Sequence, residues 1–198
     1  MKLPRPPRTA DFRSPLHGPR VTARLGVWLG SAFIVCFVTG LISHDHQHPP
    51  PFFVIPPEPA WGFQVSQGIH VAAGTACFPL LLAKIYSAYP RLFERPIIPS
   101  PLKALERGSL AVLVTSSFLQ VVTGIINVAQ WYSVFGFGFI QVHFAFAWIA
   151  IGSLSVHVAV KLPVIRDALT TPLDAPLNPD DRATPASPLM VATKVVGE

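Results

Sequence analysis

Seven histidines occur in this chain of 198 residues: His17, His44, His46, His48, His70, His143 and His157. Histidine is the commonest metal ligand among side chains and also a proton carrier near neutral pH. His143 and His157 are 14 positions apart. On a helix, 14 residues are just under four turns, so both rings point along nearly the same face, about 21 Å apart. That separation leaves room for two stacked centres. His70 and Lys84 repeat the 14-residue spacing. His44, His46 and His48 form an H-x-H-x-H segment followed by Pro49, Pro50 and Pro51. Alternate histidines in a stiff, extended segment are a candidate copper or zinc site. A structural or solvent-facing role is the plainer reading.

These residues lie in a chain of unusual composition. Hydrophobic residues make up 51% and charged residues only 13%, against about 25% charged in a soluble domain. The mean hydropathy is +0.47. Charge this sparse would cover a water-exposed surface poorly, whereas a lipid-facing one needs little. Four apolar stretches stand out: 26–43, 67–89, 108–130 and 138–160, with Lys84 the only charge within them. Each is long enough to cross a hydrocarbon core of about 30 Å as a helix. Lipid offers no partners to backbone polar groups, so helices are required. The expected fold is all-α, an integral membrane four-helix up-and-down bundle with helices at 25–43, 62–89, 106–130 and 138–162. The basic run before the first helix resembles a signal peptide. Its apolar segment is too long and lacks a small-x-small cleavage site, which predicts a retained helix. Of the 22 prolines, only Pro79 falls inside these spans, where it removes a backbone hydrogen bond and favours a kink.

Net charge is +5, but the basic residues are sorted along the chain. Lys2, Arg5, Arg8, Arg13, Arg20 and Arg24 precede the first helix. Arg91, Arg95, Lys103 and Arg107 lie between the second and third, and Lys161 and Arg166 follow the fourth. The loop 44–66 has no Lys or Arg. Under the positive-inside rule both termini are cytoplasmic. Segment 1–24 is then a basic cytoplasmic extension and 163–198, rich in Pro, Asp, Ala and Thr, a largely disordered tail. Trp61, Trp131 and Tyr132 mark the outer interface. Charge sorted this way argues for a membrane face, not for nucleic acid.

Topology gives the histidines a geometry. The second and fourth helices run in the same direction, so His70 and His143 lie at similar depth near the outer side. Two imidazoles at one depth on neighbouring helices suit ligation of one haem iron from opposite sides. His157 lies near the inner end and needs a partner there. His17 is the one other histidine on that side, and Pro19 suits the first turn of a helix starting beside it. His17 is equally readable as an exposed tail residue. Lys84 has four readings: snorkelling to the interface, a propionate salt bridge, a quinone headgroup contact, or an amine ligand opposite His157. His44 is an alternative to His70 as outer ligand. Gly26, Gly30, Gly40, Gly74 and Gly124 permit close approach of helices or of a flat macrocycle. Cys36 and Cys77, mid-span, read as small apolar fillers. No C-x-x-C-H occurs, so covalent c-type haem is unsupported.

The order of histidines resembles that of the four-helix di-haem b cytochromes, which include bacterial cytochrome b-561 and the formate dehydrogenase membrane subunit. A closer resemblance is to the N-terminal cytochrome part of bacterial molybdopterin oxidoreductases of the sulfite-oxidase type. It lies in SPLHGPRVTARLG, GLISHDHQHPP, QGIHVAAG with PLLLAKIYSAYPRLF, and HFAFAWIAIGSLSVHVAVKLPVIR, over residues 10–170. The resemblance implies His70 with His143 for an outer haem b and His17 with His157 for an inner one. It also implies a multi-pass protein of the inner (plasma) membrane. Such a protein would carry electrons between the quinone pool and an extracytoplasmic molybdopterin-type oxidoreductase, as a subunit and not a catalyst alone. Those fused relatives continue into a molybdenum domain that 163–198 does not resemble. Two other readings stand beside this one: a stand-alone transmembrane reductase, and a haem-free membrane anchor or metal-handling protein using the H-x-H-x-H segment. A transporter would need paired broken helices.

Overall fold

The computed structural model describes residues 11–12, 14–56, 58–93, 100–131 and 136–172. Four long helices dominate: α1, Pro19–Gln47; α2, Ala60–Ala88; α3, Pro101–Val128; and α4, Phe139–Thr170. All four are long and apolar enough to span a membrane, and no strand occurs among the described residues. Pro19 and Pro101 sit in the first turns of α1 and α3, where a missing N–H costs nothing. Ser100 caps α3 by accepting from Lys103 N at 3.2 Å. Ser14 similarly receives Leu16 N at 3.3 Å and starts a short 3-10 turn, Pro15–His17.

The helices exceed their apolar segments. α1 extends through His44 and His46 to Gln47, and α4 continues through Pro163 to Thr170. The H-x-H-x-H segment is therefore largely helical and not extended. Pro79 lies within α2 as expected, and Pro163 is a second internal proline. Polar residues can prolong a helix beyond the hydrocarbon zone because its backbone bonds close within the segment. Tyr132, Arg95 and the tail from 173 onward lie outside the described residues.

Packing is pairwise. α1 lies against α2 and α3 against α4, the pairs meet along α1 and α4, and α2 touches α3 only slightly. Within pairs the helices are antiparallel: late α1 meets early α2 at Cys36 and His70, and early α3 meets late α4 at Glu106 and Lys161. Phe37 meets Trp148 at 4.9 Å and His44 meets Phe144 at 3.8 Å, so α1 runs antiparallel to α4. The result is an up-and-down bundle with the start of α1 and the end of α4 at the same end. Small residues dominate its interior: Ser87, Ser116 and Ser117 are essentially inaccessible. Their hydroxyls return to the backbone carbonyls of Lys84 and Leu113, which satisfies them without solvent. Between α1 and α2, Leu29, Cys77 and Leu81 form an apolar cluster joined by Cys36, in keeping with cysteines as fillers.

Candidate functional site

His70 and His143 come together. Their ring centres are 6.3 Å apart and the ring planes are inclined at 74°. Each ring is fixed through Nδ1. His70 Nδ1 lies 2.9 Å from the Cys36 carbonyl and 3.0 Å from Thr39 Oγ1. A carbonyl only accepts, so Nδ1 carries the proton. The Thr39 hydroxyl donates to Val35 O at 2.7 Å and is left as a second acceptor. His143 Nδ1 lies 2.8 Å from Thr123 Oγ1, whose own proton goes to Leu119 O at 2.6 Å. Here too the Nδ1–H donates. Both rings thus keep the lone pair on Nε2. A second hydrogen bond that fixes tautomer and orientation is the usual support of a metal-ligating histidine.

The two halves match residue by residue. Thr39-Gly40 on α1 faces His70, and Thr123-Gly124 on α3 faces His143. A Cβ on Gly40 would stand 3.2 Å from His70 Cε1, and one on Gly124 3.6 Å from His143 Cε1. Three residues before each threonine, Cys36 Sγ donates to His70 O at 3.6 Å and Gln120 Nε2 to His143 O at 2.9 Å. The threonines escaped the reading by residue type. A signal was present in the paired segments FVTGLI and VVTGII at 37–42 and 121–126.

The fit to one ion is metric. A ligated imidazole nitrogen sits about 2.0–2.1 Å from a transition metal and about 1.1 Å from its own ring centre. Two imidazoles sharing one ion would have ring centres about 6.3 Å apart, so the separation of 6.3 Å between His70 and His143 is compatible in distance with such a pair. Two histidines alone do not complete a transition-metal site, so another group would have to supply the remaining ligands. The slight contact between α2 and α3 leaves the two halves unclosed along one side.

The other candidates are placed differently. His17 packs against Tyr86 at 4.8 Å and Phe12 at 5.8 Å, in a groove with Leu82, Ile85 and Tyr89. No hydrogen bond or ring contact joins it to His157 among the described residues. His157 has a buried Nδ1 without a hydrogen-bond partner, as does His17. Lys84 turns its ammonium to the Thr22 carbonyl of α1, beside Gly26, instead of reaching outward. Glu106 bridges Lys161 at 2.7 Å and Lys103 at 3.2 Å. Gly30 faces open space, so only the Gly26 half of that G-x-x-x-G is a close contact.

The outer triplet does not converge. Residues two apart on a helix point about 200° apart. His44 stacks on Phe144 at 3.8 Å, and His46 meets Phe63 at 5.1 Å. His48 lies beside His44 at 5.0 Å. Among the described residues no group of three or more His, Cys, Asp or Glu is gathered for a metal. His44 stacks on Phe144, whereas His70 is the histidine whose ring meets His143.

The fold and site define a four-helix bundle of membrane-spanning type with two anchored, facing histidines in its interior. No family model, characterised protein or solved structure matches the chain.

Proposed function

We propose that this chain is a membrane-bound b-type cytochrome in which His70 and His143 would hold a non-covalent haem. One observation carries the reading: two imidazoles with ring centres 6.3 Å apart, each with Nδ1 tied to the neighbouring helix, which leaves both Nε2 atoms free to bind a metal. A haem so held supplies one-electron transfer. The protein's part is to fix both rings. Thr39, Thr123 and the Cys36 carbonyl hold their tautomers and orientation, which keeps the rings from rotating as charge changes. Apolar helix faces limit water and so set the potential.

By the distribution of Lys and Arg, the end bearing Trp61, Trp131 and the His70–His143 pair faces outward, and both termini are cytoplasmic. A one-electron carrier lying across the inner membrane links the quinone pool to an extracytoplasmic oxidoreductase, for which the sequence resemblance favours a molybdopterin enzyme. The chain is thus an electron-transfer subunit.

The test is a dithionite-reduced-minus-oxidised spectrum of the detergent-purified protein with a pyridine haemochrome assay. At least one haem b per chain, with a low-spin spectrum, is expected. No haem after expression with ample haem supply would overturn the reading in favour of a haem-free membrane anchor.

A further inference from the structure

The seam between α1 and α2 repeats its own chemistry. His70 donates from Nδ1 to the Cys36 carbonyl and lies beside Gly40. Fourteen residues later on α2 and fourteen earlier on α1, Lys84 donates from Nζ to the Thr22 carbonyl and lies beside Gly26. Donor, carbonyl and glycine recur in the same register. On α4, His157 follows His143 by the same 14 residues. The relation that pairs His70 with His143 therefore pairs Lys84 with His157. His157 Nδ1 and His17 Nδ1 are both buried without a hydrogen-bond partner. His17 packs against Tyr86 of α2, and no hydrogen bond or ring contact joins it to His157 among the described residues.

We propose that Lys84 and His157 are the two protein ligands of a second metal centre, a second haem b, with the lysine amine in the place that the sequence resemblance gives to His17. This rests on the cytochrome reading above. To coordinate, the Lys84 ammonium releases one proton to solvent, and its nitrogen lone pair forms the bond to iron. The neutral amine keeps two N–H groups, one of which can remain on the Thr22 carbonyl. At Lys84 the one nitrogen would both anchor and ligate, whereas at His70 the two roles fall on different ring nitrogens.

The experiment compares wild type, Lys84→Ala, Lys84→His and His17→Ala as full chains in detergent. Haem per chain is counted by pyridine haemochrome, and ligands are read by electron paramagnetic resonance with near-infrared magnetic circular dichroism. Two haems per wild-type chain are expected, one with bis-histidine and one with lysine–histidine bands. Lys84→Ala should lose the second low-spin signal and keep the first. Lys84→His should retain two low-spin haems with the second band moved to the bis-histidine position, which separates ligation from folding. His17→Ala should keep both. A second signal lost in His17→Ala but kept in Lys84→Ala would overturn the proposal. So would one haem per wild-type chain, while leaving the His70–His143 centre standing. No haem at all would overturn both readings.

Discussion

The α1–α2 seam and the α3–α4 seam hold a histidine in the same way, yet with different tolerances. His70 has two acceptors for its Nδ1 proton, the Cys36 carbonyl and Thr39 Oγ1, and a tight glycine beside it. His143 has Thr123 alone at Nδ1 and a looser glycine. The first ring is over-determined by backbone and by space, the second by one hydroxyl. A pair of ligands is only as well placed as its less constrained member, so the α3–α4 side governs how firmly the pair is set. The opposite end of the bundle differs again. There the matching positions carry Lys84, held by the Thr22 carbonyl, and His157, whose Nδ1 has no hydrogen-bond partner, so the hydroxyl supports of the His70–His143 pair are not repeated.

The sharpest way to break the comparison is to remove a ring. His143→Ala or His70→Ala should each abolish the low-spin haem signal assigned to this pair, with the helical circular dichroism retained. An unchanged spectrum in either variant would end the assignment. Replacing the hydroxyls tests the asymmetry itself. Loss of a group that orients a metal ligand costs about 10–100-fold in metal affinity. Thr123→Val should fall in that range when haem release to apomyoglobin is followed. Thr39→Val should lose less, because the Cys36 carbonyl still holds His70. Equal losses would mean that the carbonyl contributes nothing. The smallest effect expected is at the glycines. Gly40→Ala puts a methyl 3.2 Å from His70 Cε1, inside the normal carbon–carbon contact of about 3.5–4.0 Å. It should displace the ring and shift the resonance g-values of that haem. Gly124→Ala, at 3.6 Å, should leave them in place.

The neighbouring glycines and threonines show how far residue types carry a reading. Hydrophobic length located four spans, because crossing lipid depends on composition along each segment and on little else. The matched depth of His70 and His143 followed from alternating helix direction and is realised as facing rings. The threonines were hidden because a mid-helix threonine ordinarily bonds back to its own helix, as Thr39 and Thr123 both do. Their second role exists only across an interface.

Sequence order and composition alone therefore settle the number of spans, their alternation and which histidines share a level. Those properties are local or follow from counting crossings. Tertiary packing decides which groups meet. It turns Lys84 toward α1, sets His17 against Tyr86, spreads His44 and His46 to different neighbours, and ties each central ring to a threonine. Each depends on the rotation of one helix against another, which is set by how small and large side chains interlock between them.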